Sequence, residues 1–492
     1  MAIKKYLASK DNTITNAFKS NLTTRGTGSN MGQSDVSEVF SIFGQQSTSS
    51  LENSRILVEW DIASIQSDRS AGAIPNSGSV NFFLNLYNAK HSFTLPKNFT
   101  LSIQPLSRSW EEGYGLDMEE YTDLGYSNWE VASSSSSGLI NWTTQGGDFH
   151  TGAYVAGSTL PSFSQYFDKG TEDLSVDITS LVEEWLDGTS DDARQNYGVG
   201  ILLSGSQEDG SLERSFYTKK FFARGTEFFY KRPVIEARWD DSKKDNSGNF
   251  FLSSSLADAA DNLNTLFLYN FVRGQLKDIP SIGSGEILLS VYSSLGGQKI
   301  TLPVGSGVVS NDDVNVTGSR VETGIYSATF AYTGSATTIY PVWHDGTTEF
   351  HTGSAITVNS LSSLSYNPNP KYVSNITNLK PIYDTDENAR FRLYIRQKDW
   401  SPTIYTKATS NIESEIIEDA YYKIFRIIDE LDVIPYGTGS LNHTRLSYDV
   451  SGSYFDLDMN LLEPEYAYGI KFVYFVNGAY HEQKELFKFR VE

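Results

Sequence analysis

Residues 177–205 read DITSLVEEWLDGTSDDARQNYGVGILLSG. At about 100° per residue, Ile178, Leu181, Val182, Trp185 and Leu186 fall on one stripe, and Glu183, Glu184 and Asp187 fall on the opposite one. The spacing predicts a short helix with an apolar underside. Asp177 supplies an N-cap oxygen, and Gly188 stands where a left-handed residue would end the helix. The adjacent glutamates then point at solvent and lack the burial that shifts a carboxyl pKa, so the pair reads as architecture rather than acid–base chemistry. After it, Val199, Ile201 and Leu203 alternate with Gly200 and Leu202 as a buried strand would.

Around this segment the pattern is β. RILVEWDI (55–62) places Ile56, Val58, Trp60 and Ile62 on one face, and VNFFLNL (80–86) does the same with Val80, Phe82, Leu84 and Leu86. RSFYTKKFFAR (214–224) follows. In RPVIEARW (232–239), Ile235, Ala237 and Trp239 oppose Glu236 and Arg238, and Pro233 suits the first residue of a strand. DDSKKDNSGN (240–249) is charged, polar and aperiodic, which predicts a linker. Beyond it, NTLFLYNFVRG, EILLSVYSS, KITLPV, GIYSATFAYTG, TTIYPVWHDG and SAITV are short runs at the cadence of an immunoglobulin-like sandwich, with Tyr326 placed as a tyrosine corner. Pro368 and Pro370 stiffen a second link. In the last part EIIEDAYYKIFRIIDEL has a helical stripe through Ile417, Tyr421, Ile424 and Ile428, but its β-branched and aromatic content favours a strand. The reading is all-β, with three consecutive β-sandwich domains at 1–242, 243–362 and 363–492.

Composition agrees. The 492 residues allow about three domains, and 29 Tyr, 28 Phe and 39 Gly suit strands and tight turns. With no cysteine, stability must come without disulfides or thiolate metal sites. The 39 basic and 60 acidic residues give a formal charge of −21, which opposes binding to nucleic acid or to an anionic membrane. The first residues, MAIKKYLASKDNTITNAF, carry no signal-peptide core, and no apolar run is long enough for membrane insertion, so the expectation is a soluble chain made and folded in the cytosol.

Three groups of residues are candidates for a site. SWEEGYGLDMEEYTDLGYSNWE (109–130) gathers Glu111, Glu112, Asp117 and Glu119 among glycines, a carboxylate supply suited to calcium, although without EF-hand spacing. Trp110, Trp129 and Trp142 could form a platform on which a sugar ring stacks. In YGIKFVYFV (468–476), Phe472 and Tyr474 share a strand face with Val476, an aromatic surface suited to an interface between subunits. His344 and His351, in WHDGTTEFH, lie where a hairpin would bring them close. Signature motifs of P-loop, nucleophile-elbow and zinc-peptidase enzymes are absent from the sequence. The expectation is a protein that is not an enzyme and needs no cofactor beyond a possible Ca2+.

DNTITNAF, RILVEWDIASI, RSWEEGYGLD, SNWE, INWTTQGGDF, VDITSLVEEWLDGT, NYGVGILLSG and RSFYTKKFFARGTEFFYKRPVIEARW form an ordered series that resembles the DNRLRE-type sandwich, a carbohydrate-binding-module-like domain. The whole chain, including LADAADNLNTLFLYNFVRGQLKDIP and LEPEYAYGIKFVYFVNGAYHEQKELFKFRVE, is similar to virion structural proteins of marine contractile-tailed phages. The resemblance implies a jelly-roll-like first domain followed by immunoglobulin-like modules. It also implies a place in the tail, baseplate, neck or capsid surface, with other virion proteins and further copies of the chain as partners. The alternative it leaves open is a module that reads a host-surface glycan.

Overall fold

One thirteen-residue strand, β1 (Ile3–Thr15), organises the first part of the chain. Its residues Ile3–Leu7 pair with Arg238–Val234, and from Ala8 to Thr15 it pairs instead with Trp60–Ser54. The register shifts between Ala8 and Lys10, so exposed Ser9 is the extra residue of a bulge. A bulge bends a strand and raises its twist, which lets one strand serve two sheets.

The computed structural model describes residues 2–43, 51–91, 95–150, 163–188, 195–212, 214–254, 256–257, 262–304, 312–360, 367–399 and 414–492. These form two compact units, Ala2–Asp240 and Asp241–Glu492. In the first, β1 is followed by β2 (Val36–Phe43), β3 (Glu52–Trp60), helix α1 (Ile62–Ser70), β4 (Asn81–Leu86), β5 (Phe99–Pro105), β6 (Val131–Ser135), β7 (Gly138–Asn141), β8 (Phe163–Phe167), β9 (Leu174–Asp177), α2 (Thr179–Asp187), β10 (Val199–Leu203), β11 (Ser215–Phe222) and β12 (Val234–Arg238). The strand order β8-β5-β10-β3-β1-β12-β4-β9 folds over at β1, and β2 pairs with both β3 and β11. Ile56, Val58, Phe82, Leu84, Ile201 and Ile235 fill the space enclosed between the layers.

The helix α2 buries Leu181, Val182 and Trp185 and ends at Gly188 with φ +33°, as its stripe predicts. The N-cap position falls on Ile178, not Asp177, which stands one residue earlier and accepts from both the amide and the hydroxyl of Thr179, at 2.9 and 2.6 Å. Residues 189–194, which include Asp191 and Asp192, lie outside the described residues. Two further expectations are corrected. Glu183 does not face solvent: Arg69 of α1 grips it at two points, 2.7 and 2.8 Å. Ile62 does not continue β3, because Asp61 accepts from the Ala63 amide and starts α1. The face of β12 opposite Ile235 is closed as well. Glu236 and Arg238 are both buried and bonded to each other, with Lys5 at 3.4 Å.

The second unit opens with β13 (Phe250–Phe251), β14 (Asn264–Tyr269), β15 (Phe271–Val272), β16 (Gln275–Leu276), β17 (Ile287–Tyr292), β18 (Val316–Glu322), β19 (Ile325–Phe330), β20 (Thr338–His344), β21 (Glu349–Thr352) and β22 (Ile356–Asn359). Strand β18 repeats the device of β1. Val316–Gly318 pair with β17, and Ser319–Glu322 pair with β19. The buried Tyr326 hydroxyl donates to the Gly283 carbonyl and accepts from the Ile279 amide, both at 3.0 Å. This tie reaches over forty residues upstream, unlike the few residues of a tyrosine corner.

The last sandwich comprises β23 (Tyr372–Ile376), β24 (Ile382–Tyr383), β25 (Asn388–Gln397), β26 (Ala420–Arg426), β27 (Asp432–Ile434), β28 (Ser447–Asp449), β29 (Gly452–Asp458), β30 (Ala467–Val476), β31 (Ala479–Glu482) and β32 (Phe487–Val491). Its sheets run β23-β25-β29-β28 and β24-β32-β30-β26-β27, with β31 beside β30. The segment with a helical stripe is a strand: Ala420–Arg426 pair along their length with Tyr474–Tyr468. Stacked rings of Phe391, Phe455 and Tyr422 fill the interior. The polar stretch 240–249 is no free linker. The Lys243 carbonyl accepts from Tyr448 and the Asp245 amide donates back to it, both at 3.0 Å, so the segment lines the β28 edge before leading into β13.

Candidate functional site

The candidate residues of the first unit converge on the outer face of its larger sheet. On β3, Ile56, Val58 and Trp60 point to the enclosed core, while Leu57 points outward with Ile14. Over this outer face the chain from Leu106 to Trp142 lays a second apolar cluster containing Trp110, Trp129 and Trp142. Their exposures are 1%, 6% and 5%. The Trp110 indole N–H donates to the Tyr197 carbonyl at 2.9 Å, that of Trp142 to Asn128 at 2.8 Å, and the Arg55 guanidinium lies over the Trp129 ring at 5.0 Å. The platform is therefore corrected: the three rings are the roof of a core, with no face left for a sugar.

The carboxylates next to the tryptophans disperse. Glu112 accepts from the Asp11 amide at 2.8 Å and takes both prongs of Arg224. Asp117 turns its own loop by accepting from the Glu119 and Glu120 amides, Glu119 accepts from the Ser20 amide, and Glu111 is exposed. Among the described residues no group of three or more acids or histidines gathers as a metal site. Glu112, Asp117 and Glu119 thus each accept from different donors, and with Glu111 exposed the four carboxylates expected to serve calcium do not converge on one point.

Beneath them runs a continuous buried polar network. Asn12 donates to the Ser127 carbonyl and accepts from the Met31 amide, and Asn30 donates to the carbonyls of Glu112 and Ser127 while accepting from Gly32 and Gly115. Buried Asp11 accepts from the Arg224 amide at 2.5 Å. Burial pushes its pKa up to about 7; the Arg224 amide opposes that and the Glu112 charge adds to it. Glycine is required at Gly115, where a Cβ would stand 1.8 Å from the Asn30 carbonyl oxygen.

Phe472 and Tyr474 are also corrected. Both are fully buried, Phe472 against Phe455 and Phe487, and Tyr474 with its hydroxyl 2.6 Å from that of Ser374. The facing sheet of the same sandwich covers them. The hairpin of β20 and β21 sets Trp343, not His344, opposite His351. His344 accepts from the Gly346 amide through Nδ1, so Nε2 carries the proton toward Ser290 Oγ at 2.7 Å. That polarity, with Ser290 fully buried, suits a structural tie and not a nucleophile.

An apolar surface missed in the sequence lies on the β2–β11 ribbon. Phe216 and Ile42 are cross-strand partners, 64% and 48% exposed, and share their face with Phe40 and Phe222. Phe222 meets exposed Phe228 edge to face. Alternation in RSFYTKKFFAR cannot say which face is inside, since each holds aromatics and one lysine. The structure buries Lys219, whose ammonium donates to the Asn88 side chain and to the Gly170 and Glu172 carbonyls at 2.6–2.9 Å.

These strands define a protein of β-sandwich modules, immunoglobulin-like beyond the first unit. No protein-family model and no curated protein matches the sequence. Among solved structures, the N-terminal Ig1-2 module of Drosophila receptor protein tyrosine phosphatase DLAR is similar at 9% identity, over 47% of this chain and 90% of that one, with a TM-score of 0.15. The native conformation of E. coli alpha-2-macroglobulin matches at 9% identity over 88% of this chain and 21% of its own, TM-score 0.16. The chicken CNTN1 FN1-FN3 domains match at 8% identity over 56% and 82%, TM-score 0.15. Scores of this size carry no functional argument; the all-β class rests on the strands themselves. Among the described residues no helix is long and apolar enough to cross a membrane.

Proposed function

We propose that this chain is a non-catalytic structural component of a tailed-phage virion, placed in the tail, baseplate, neck or capsid surface and acting through contacts between subunits. The observation that supports this reading is the exposed aromatic face around Phe216 and Ile42. Apolar surface of this kind on a rigid ribbon is what a protein interface uses. The charged pair on that face, Lys220 and Glu38 at 3.3 Å, is self-neutralised, so two copies of an otherwise acidic chain can meet there with little local repulsion. The test is mass spectrometry and a side-chain-resolution map of density-purified particles of the phage encoding it. The reading requires the chain in stoichiometric amounts with the Phe216 face covered, and its absence from the purified particle ends the reading.

A further inference from the structure

We infer that the groove between the two sandwiches of the Asp241–Glu492 unit is a binding site for a neutral saccharide. The groove encloses about 460 Å³ and is lined from both modules. Sites of a few hundred cubic ångströms that combine aromatic walls with a few fixed polar groups are the ordinary form of small-ligand pockets.

Three features select the ligand class. The first is a free ring. The hairpin of β15 and β16 turns through Arg273 and Gly274, both at positive φ, and holds Phe271 at the groove 61% exposed. The other rings of the lining are occupied: Tyr454 lies under the guanidinium groups of both Arg390 and Arg392, at 4.4 and 4.7 Å, Tyr269 is stacked with Phe267 at 6.2 Å, and Tyr422 and Phe455 are buried. Phe271 is thus the face available to the C–H side of a sugar.

The second is a planar array of donors and acceptors. Arg390 and Asp456 are directly opposed on β25 and β29 and bond at two points, 2.7 and 2.9 Å. The pair is fixed by its own bonds and about half exposed, so the outward guanidinium N–H groups and carboxylate lone pairs remain for vicinal hydroxyls, which both donate and accept.

The third is charge. Asp241, Glu322 and Asp456 are matched in the lining by Lys243, Arg390 and Arg445, three against three, in a chain that carries −21 overall. Lys243 is bonded to Glu322 at 3.0 Å and Arg445 lies 3.4 Å from Asp419. A charged ligand would have to break one of these pairs, whereas a hydroxyl-rich neutral one leaves them whole. The site does not depend on whether the chain belongs to a phage particle.

The experiment is calorimetric titration of the full chain with maltotriose, cellotriose, mannotriose and chitotriose, with sialyllactose as the charged comparison. At least one neutral trisaccharide should bind, and more tightly than sialyllactose. Phe271→Ala and Arg390→Gln should each weaken it at least tenfold with the melting temperature unchanged, while Phe216→Ala leaves it as it was. The inference is overturned if no neutral trisaccharide binds up to about 10 mM, if the charged sugar is preferred, or if neither groove substitution alters the affinity.

Discussion

Arg224 and Glu112, 112 positions apart, meet fork to fork at 2.9 and 2.6 Å, and the same Glu112 carboxylate accepts the backbone amide of Asp11. This junction joins the loop after β11, the loop before β6 and strand β1 at one point, and it sets an acid inside the fold whose ionisation is costly.

Asp11 therefore predicts a pH dependence. Its pKa in the fold, about 7, lies above the ordinary carboxyl value of 3.8. A raised carboxyl pKa means that the folded state holds the proton more tightly than the unfolded one. The contribution to stability is full below the unfolded pKa and is lost as pH rises through about 7. Asp11→Asn removes this slope. Denaturant midpoints at pH 5 and 8 should show the difference between wild type and variant shifting by about 2–3 kcal/mol in favour of the variant at pH 8. Parallel curves would count against the assignment.

The buried pair on β12 predicts non-additivity. Burial pushes the Glu236 carboxyl up, but Lys5 and Arg238 outweigh it and hold the pKa below the usual value. Arg238→Met should cost about 3–5 kcal/mol, because a buried carboxylate loses its main partner, whereas Glu236→Leu combined with Arg238→Met should recover most of that loss. Chemical denaturation of the two variants measures the coupling.

Gly115 predicts local failure in the roof. A methyl group there meets the Asn30 carbonyl at 1.8 Å. Gly115→Ala should cost at least ~2 kcal/mol, and the emission of Trp110, Trp129 and Trp142 should shift to the red before the strands melt by circular dichroism. A single coincident transition at the wild-type midpoint would show that the loop moves aside freely.

The aromatic face predicts a salt-dependent association. A charge of −21 repels copies in dilute buffer, and screening shortens that repulsion to ~10 Å at 0.1 M salt. Light scattering should find a monomer at low salt and a larger species at marine ionic strength or with divalent cations. Phe216→Asp should remain monomeric throughout. A tight oligomer persisting in dilute buffer with chelator contradicts the charge argument, and a Phe216→Asp variant that associates like wild type contradicts the choice of face.

What could be read in advance was what short-range periodicity encodes. The α2 stripe and the buried β10 run follow from side-chain spacing within a few residues, and the strand at Ala420–Arg426 from β-branched and aromatic content that outweighs a helical spacing. Helix α1 was hidden because only Ile65 is buried on it, so it has no stripe to detect. The fates of Trp110, Trp129 and Trp142 depended on a roof built from distant segments. Those of Phe472 and Tyr474 depended on which sheet faces β30. Phe271 and Arg390 come from different modules, and no local pattern relates them.

The pairing of Ile3 with Arg238 places the entrance and the exit of the first unit side by side, on neighbouring antiparallel strands. Tension drawn along the polypeptide through these two points loads the β1–β12 hydrogen bonds one at a time, like a zipper, instead of shearing them together. The rest of the unit, with its roofed tryptophans and both layers, hangs outside the line of force. Mechanically the β1–β12 ladder is the latch of the unit, the part that yields first when its two ends are drawn apart.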